Sequence, residues 1–597
     1  MKAPPENSTR QSKRRARPRK APSNTSRQPN EPVGRWYFKT LALGVLGGLL
    51  CYLAQPPAGL SLLAWIGPTP WLMLVRLRRL PGPRPYLTLY ACGVLYWLAT
   101  IQWLRLPHAL NVFALAFVAT YLGVYLPIFV ALSRAGVHRW KAPLWIVGPV
   151  VWTGLDWVRA HLLTGFLMAS LAHTQSHTPL VIQLADLLGE YGVTFVIVLV
   201  AAAVAEALPT VRTPPPDSVS REARRTVVRW RKLTPAAAAI AAACGYGAWR
   251  MPSPTMVDDS GSLRVALIQS DMKADWKGTP QRDREVMRQQ IDLSQRAIRD
   301  SAKPIDLVVW PETMFRHRLH TLEPSYEPPE GLFLPNVEEH LAIAPEILRS
   351  MTREFDAAVL VGVDRTHWQE PTGEQPTATA DGIPYNESSY NSAVLVDRSG
   401  RIVGTYDKMH LLPFGEYIPL AEALPSLSAL SPITGSAARG KAPTPLLWEG
   451  VPLAVNICYE SALPHVIRRQ MRGFVDGENR APGLMVNLTN DAWYWGSSEL
   501  DMHLACGVFR AVEMRTPLVI AANRGLSAHI DRHGRIRQVT KRDAAATLVC
   551  DVDVGRPGFG LSGATVYARY GDWFALACVV CCVVLTLTAW RSRKVAS

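Results

Sequence analysis

Residues 453–460 read Leu453-Ala454-Val455-Asn456-Ile457-Cys458-Tyr459-Glu460, and this stretch decides the fold of the second half of the chain. A nearly unbroken apolar run that stops at a thiol, a phenol and a carboxylate is far too short to cross a bilayer. It lacks the strict alternation of a strand with one wet face, so it reads as a strand covered on both faces. Six more runs have the same character: 265–270, 307–312, 358–363, 392–397, 484–489 and 518–523. Between them the amphipathic stretches 281–301, 338–354, 460–472 and 499–515 read as helices. Buried strands alternating with amphipathic helices imply an α/β domain with its sheets covered by helices. Spread over residues 251–570, it is large enough to carry its own core. Residues 316–338 and 365–388, rich in Pro, Gly, Glu and Thr, read as insertions or loops.

Upstream the pattern changes. Apolar runs recur at about 40–54, 59–75, 86–104, 109–132, 143–162, 190–208 and 233–249, and an eighth lies at 573–590. Runs near ~20 apolar residues suit a ~30 Å hydrocarbon core, so the expectation is a membrane bundle of about eight transmembrane helices, seven before the α/β domain and one after it. The net charge of +16 first suggests nucleic acid, but its location excludes that reading. Segments 1–39, 76–84, 133–141, 209–232 and 591–597 hold 28 Lys/Arg against 4 Asp/Glu, a net of +24 that leaves −8 for the rest. All five fall on one side of an eight-span topology, which the positive-inside rule makes the cytoplasm. The expected organisation is therefore a basic, disordered cytoplasmic tail over 1–35, a bundle over 36–250, an extracytoplasmic domain over 251–570, a last span over 571–592 and a cytoplasmic tail over 593–597. Gly165–Tyr191 reads either as an amphipathic stretch lying in the interface or as a long outer loop packed on the bundle. Asp156 and Arg159, three residues apart in the fifth run, read as an intramembrane pair or as ends reaching for the interface.

Nine cysteines are too scattered for a disulfide framework, and six of them lie in apolar runs, where a small buried hydrophobe is the plain reading. No Cys/His grouping has zinc spacing, and no metal or organic cofactor is called for. Three strand ends carry polar groups that a core does not need: Trp310-Pro311-Glu312, Tyr406-Asp407-Lys408 with Leu411-Leu412-Pro413-Phe414-Gly415-Glu416-Tyr417 after it, and Asn456-Ile457-Cys458-Tyr459-Glu460. Singly, each has a bland reading as a surface carboxylate, a solvated lysine or a buried thiol. Jointly they supply a base, a cation and a nucleophile, each at the end of a core strand where side chains converge on one rim.

In these contexts Glu312, Lys408 and Cys458 resemble the catalytic triad of the carbon–nitrogen hydrolase (nitrilase) superfamily. The Leu-Leu-Pro-Phe-Gly-Glu, Ile-Cys-Tyr-Glu and Asn490-Asp491-Ala492-Trp493 stretches, with the bundle, resemble its apolipoprotein N-acyltransferase branch. Departures are the basic tail, the long segment between Glu312 and Lys408, and Tyr494-Trp495-Gly496, one residue longer than that branch's pattern. The resemblance implies an α-β-β-α sandwich for the nitrilase-like domain. It implies Glu312 as general base, Lys408 as the cation at the oxyanion, Cys458 as nucleophile and Glu416 as a second essential carboxylate that either positions Lys408 or relays a proton. Tyr459 and Glu460 would place the substrate or a mobile arm. Trp276 matches a functional tryptophan, with an interfacial aromatic as the other reading. The implied reaction takes an acyl chain from a phospholipid donor through a Cys thioester to the amine of a diacylglyceryl apolipoprotein. It would run in a bacterial inner membrane, by a multi-pass monomer with its catalytic domain facing the periplasm and both termini cytoplasmic. A membrane-tethered amidase or nitrilase, in which water resolves the thioester, is the alternative. A transporter or scaffold is disfavoured by the complete triad and the few intramembrane ionisable groups.

Overall fold

The computed structural model describes residues 33–209, 229–251, 261–275, 278–327, 337–370, 377–378, 384–413, 415–418, 437–478, 481–554 and 565–594. Most of the basic tail, most of the basic segment 209–232 and Trp276 lie outside the described residues.

The first half is helical. It runs through α1 (Val33–Ala54), α2 (Thr69–Arg76), α3 (Pro85–Thr100), α4 (Asn111–Gly123), α5 (Tyr125–His138), α6 (Leu144–His161), α7 (Pro179–Ile182), α8 (Ala185–Leu188), α9 (Glu190–Ala207) and α10 (Thr234–Arg250). Among the described residues, two helical stretches are long and apolar enough by themselves to cross a bilayer, Asn111–His138 and Glu190–Ala207. Helix α9 is buried along almost its whole length, whereas the outer helices turn Val45, Leu49, Leu87, Leu95, Phe113 and Phe117 outward. Bulky apolar side chains exposed in this number would be costly in water and suit a lipid surface. One expectation is corrected. The run 59–75 is not one continuous helix: a 3₁₀ turn at Ser61–Trp65 precedes α2, whose first turn contains Pro70. At 1.5 Å per residue, the eight residues of α2 rise only about 12 Å.

The stretch 165–191 settles as a packed connection. Leu167, Met168, Leu171, Ala172 and Ile182 are buried, and the hydrophobic core there continues into the α/β half. Asp156 and Arg159 do not reach for solvent. Both are buried, paired at 3.1 Å, with the Arg159 guanidinium also over the Trp97 ring at 5.1 Å.

The second half forms two stacked sheets among the described residues. Strands β1 (Ser262–Gln269), β2 (Leu307–Val309), β3 (Phe315–Leu322), β4 (Ala358–Gln369), β5 (Thr377–Ala378), β6 (Pro384–Val396) and β7 (Ile402–Asp407) begin the first. The second holds β8 (Leu446–Trp448), β9 (Val451–Ile457), β10 (Leu484–Asn490), β11 (Leu518–Asn523), β12 (Ala528–Ile530) and β13 (Ile536–Val539). The chain then returns to the first sheet with β14 (Ala546–Asp553), giving the order β14-β1-β2-β4-β6-β5, with β3 also on β4 and β7 also on β6. In the second sheet the order is β13-β12-β11-β10-β9-β8, with β9, β10 and β11 parallel.

Period-two alternation then sorts each strand between two cores. Leu453, Val455 and Ile457 of β9 face inward with Val486 and Val519, and they share one core with Leu263, Val265, Leu267, Val309 and Leu360 of the first sheet. The outer face of the first sheet, with Ala266, Ile268, Val359 and Val361, is covered by α11 (Pro280–Asp300) and α12 (Val337–Phe355). The outer face of the second sheet, with Ala454, Met485 and Ile520, is covered by α13 (Pro464–Glu478) and α14 (Glu499–Met514). The result is the helix–sheet–sheet–helix sandwich of a nitrilase-like domain. Its second helix layer shares a core with the bundle residues Val193 and Ile197. After the short α15 (Val566–Tyr570), α16 (Trp573–Lys594) packs on α6 where Gly154 lacks a side chain: a Cβ there would lie 2.9 Å from Cys582 Sγ.

The two polar stretches expected as loops are partly strand. Phe315–Leu322 pairs in parallel with β4, and β4 and β6 pair from Val359↔Val396 out to Gln369↔Asn386. Cross-strand pairing stabilises these polar arms where local composition alone signals a turn.

Candidate active site

Glu312 lies just past β2, where Trp310 N–H still bonds Leu360 O at 2.9 Å and Pro311 ends the pairing. The neighbouring strand must come very close here. A Cβ on Gly362 would sit 2.6 Å from Glu312 Cα, so only glycine fits. Lys408 lies just past β7, its backbone N–H donating to Asn391 O at 2.9 Å. Cys458 follows β9 with φ at +52°, a left-handed conformation that is rare for a residue with a side chain. Such a turn ends the strand abruptly and starts a 3₁₀ turn over Cys458–Ala462.

Lys408 is 1 % exposed, and its Nζ lies 3.3 Å from Glu312 Oε1 and 3.0 Å from the Glu416 carboxylate. The Asn391 amide donates to both acids, at 2.7 Å to Glu312 and 2.9 Å to Glu416. The remaining carboxylate oxygens are held by backbone: Asn490 N–H to Glu312 Oε2 at 3.0 Å and Leu412 N–H to Glu416 Oε2 at 2.8 Å. Burial alone would lower the Lys408 pKa, but Glu416 and Glu312 more than offset it and the ammonium is held charged. Burial, then the Glu312 charge, push the Cys458 thiol well above its ordinary value, with Lys408 pulling the other way. The resting sulfur is therefore a thiol that needs a base at the moment of attack.

Glu460 is fully buried and ties the two halves of this arrangement together. It accepts from Tyr406 OH, from Met409 and His410 N–H on the Lys408 side, and from Ile457 N–H on the Cys458 side, at 2.8–3.0 Å. Burial raises its pKa against these donors.

The family models match on both halves of the chain: apolipoprotein N-acyltransferase N-terminal domain over residues 47–203 and carbon-nitrogen hydrolase over residues 264–557. An apolipoprotein N-acyltransferase of Geobacter metallireducens is 32% identical over 565 residues, covering 93% of this chain and 96% of that one. The chain belongs to the apolipoprotein N-acyltransferase family. A second member, from Rhodopirellula baltica, is 30% identical over 574 residues, covering 92% and 97% of the two chains. Among solved structures, a carbon-nitrogen hydrolase from Helicobacter pylori G27 aligns with a TM-score of 0.33 at 13% identity, over 52% of this chain and 94% of that one.

In this apolipoprotein N-acyltransferase family member, Glu312, Lys408 and Glu416 are in direct contact, and Glu312 and Lys408 are the leading charges acting on Cys458. Tyr459 points away from them, its hydroxyl donating to Gly165 O at 2.9 Å and its ring among Trp97, Ile101 and Leu463. It joins the turn after Cys458 to the bundle. Glu460 holds backbone and the Tyr406 hydroxyl rather than facing an open site, and Trp276 lies outside the described residues. Sequence reasoning missed Asn391 and His503. Asn391 sits in a polar strand whose neighbours only the sheet order reveals, and His503 sits on a helix that reads as amphipathic cover.

Proposed function

We propose that this chain carries an acyl group from a membrane phospholipid to Cys458, and from there to the α-amine of a diacylglyceryl-cysteine on an apolipoprotein. The observation that carries the reading is the buried Lys408 ammonium shared by Glu312 and Glu416 at 3.3 and 3.0 Å, beside a thiol on a left-handed turn. In the first half-reaction Glu312 takes the Cys458 proton as Sγ bonds to the ester carbonyl carbon. Lys408 stabilises the oxyanion, the C–O bond breaks, and Glu312 returns the proton to the departing lysophospholipid oxygen. In the second, the amine attacks the thioester and gives a proton to Glu312. The C–S bond breaks, and that proton restores the Cys458 thiol. Glu416 keeps Lys408 in place, while Tyr459 and Glu460 hold the turn that carries the nucleophile.

The proposal extends to placement in the membrane. Eight spans over 36–250 and 571–592 put residues 251–570 in the periplasm and both termini in the cytoplasm, supported by the one-sided basic segments. The second of these spans crosses as a 3₁₀ turn followed by α2, a broken backbone that buried neighbours can accommodate. Both substrates are lipid-anchored, which accounts for a hydrolase-type domain whose outer helices share a core with the bundle. The protein works as a monomer. The test is incubation of the reconstituted protein with labelled phospholipid, then with a diacylated lipopeptide. A hydroxylamine-sensitive label on the wild type but not on Cys458→Ala, passing to the lipopeptide amine, is the expected result. Release of free fatty acid at the same rate with and without the lipopeptide would favour a hydrolase instead.

A further inference from the structure

The Cys458 carbonyl oxygen gathers three side-chain partners from three elements. Asn487 Nδ2 of β10 lies at 3.2 Å, Ser461 Oγ of the following turn at 3.2 Å, and His503 Nε2 of α14 at 3.1 Å. His503 Nε2 also lies 2.8 Å from Ser461 Oγ, and its Nδ1 lies 3.6 Å from Asp491 Oδ1. Asp491 is in turn held by Thr489 Oγ1 at 2.6 Å. His503 and Asp491 are 4 % and 3 % exposed, so the array is closed to water. Burial works against charge on the imidazole, but Asp491 and Glu499 prevail and raise its pKa to about 10. The imidazolium that these carboxylates favour donates from both ring nitrogens, with Nδ1 on the Asp491 side and Nε2 shared between Ser461 Oγ and the Cys458 carbonyl.

We propose that His503, backed by Asp491, is a positioning residue for the acyl-transfer reaction, acting through the main-chain carbonyl of Cys458. The orientation of that carbonyl is the ψ angle of Cys458. With φ at +52°, a value the side chain disfavours, the junction between β9 and the Cys458–Ala462 turn has to be held from outside, and fixing ψ fixes how the Cα that carries Sγ sits between those two anchored elements. His503 supplies a charged donor for this, stronger than the neutral amide and hydroxyl that share the same oxygen. The Asn490-Asp491 pair thus serves both partners of the site, with the Asn490 N–H on Glu312 and the Asp491 carboxylate behind His503. This rests on Cys458 being the nucleophile.

The test compares His503→Leu, His503→Gln and Cys458→Ala in single-turnover acylation, with the phospholipid concentration varied to separate rate from affinity. His503→Leu removes the donor, and a displacement of about 1 Å at a reacting atom costs ~10²-fold, so a loss of that order is expected with the apparent KM unchanged. His503→Gln keeps an N–H directed at the carbonyl and should recover most of the rate. A purely structural role would lower both variants alike and move KM and thermal midpoint with the rate. Equal rates for His503→Leu and wild type, or no recovery in His503→Gln, overturn the proposal. Should His503→Leu not fold, Asp491→Asn takes away the carboxylate that keeps the imidazole charged, and its acylation rate should fall more steeply with rising pH than that of the wild type. A wild-type rate and pH profile in Asp491→Asn overturn the proposal too. Acyl-enzyme in Cys458→Ala would instead refute the nucleophile assignment.

Discussion

Replacing Lys408 by arginine separates the charge of this residue from its shape. Lys408 Nζ sits 3.3 Å from Glu312 and 3.0 Å from Glu416, with Asn391 bridging the two acids and 1 % of the residue exposed. At these distances a larger head group has to displace a neighbour. Arginine keeps the positive charge but brings a planar fork whose donors point in other directions. It must push aside Asn391 or one of the acids, and overpacking of this kind costs about 1–3 kcal/mol. Losing a correctly placed oxyanion donor costs ~10²–10³ in rate, about 2.7–4 kcal/mol of barrier. Lys408→Arg is therefore expected to acylate ~10²-fold more slowly than wild type. Lys408→Met should fall at least as far and should also lose stability, because removing one member of a buried ion pair costs about 3–5 kcal/mol. The assay is thioester formation in a single turnover with labelled phospholipid, read as hydroxylamine-sensitive label, alongside a thermal melt of the reconstituted protein. Lys408→Arg acylating within a few-fold of wild type would refute the reasoning, since charge alone would then suffice.

Glu312→Gln should change two readouts in opposite directions. The Glu312 charge helps to raise the Cys458 pKa, so removing it lowers that pKa, enlarges the thiolate fraction near neutral pH and speeds alkylation by iodoacetamide, while acyl transfer falls for want of a base. Slower alkylation than wild type would contradict this sign. Gly362→Ala should lose acylation and about 1–3 kcal/mol of stability, because its Cβ would meet Glu312 Cα at 2.6 Å; thermal melts and single-turnover rates check both. Arg510→Met strands Glu190 and Glu513, which lie 2.6 and 2.9 Å from the guanidinium in a fully buried cluster joining α9 to α14. A loss of about 3–5 kcal/mol is expected, read as a lower thermal midpoint, and an unchanged midpoint would show the cluster to be unimportant.

The central strands were legible in the sequence because burial on both faces leaves its mark locally. Leu453–Ile457, Leu484–Leu488 and Leu518–Ala522 are apolar on both faces except at Asn456 and Asn487, and so announce themselves without knowledge of their partners. The helices over 280–300 and 499–514 were legible for the same reason, through their repeat of apolar positions. Glu312 and Cys458 stood out at the ends of apolar runs, whereas Lys408, after the polar Thr405-Tyr406-Asp407, stood out only jointly with them and through the resemblance of the three stretches to a known triad. What the sequence left open depends on contacts between distant residues. Strand β3, with Arg316, His317 and Arg318 in it, is a strand because β4 lies beside it. The run 59–75 is apolar enough for a span but is broken where Pro68 and Pro70 stop the backbone continuing as one helix. Asn391 gains its place between two acids only because β6 lies between β4 and β7, and His503 meets the Cys458 carbonyl only because α14 covers the second sheet. Burial is written into each residue's own chemistry, whereas the identity of a hydrogen-bond partner is set by sheet order and layer packing, which no local stretch encodes.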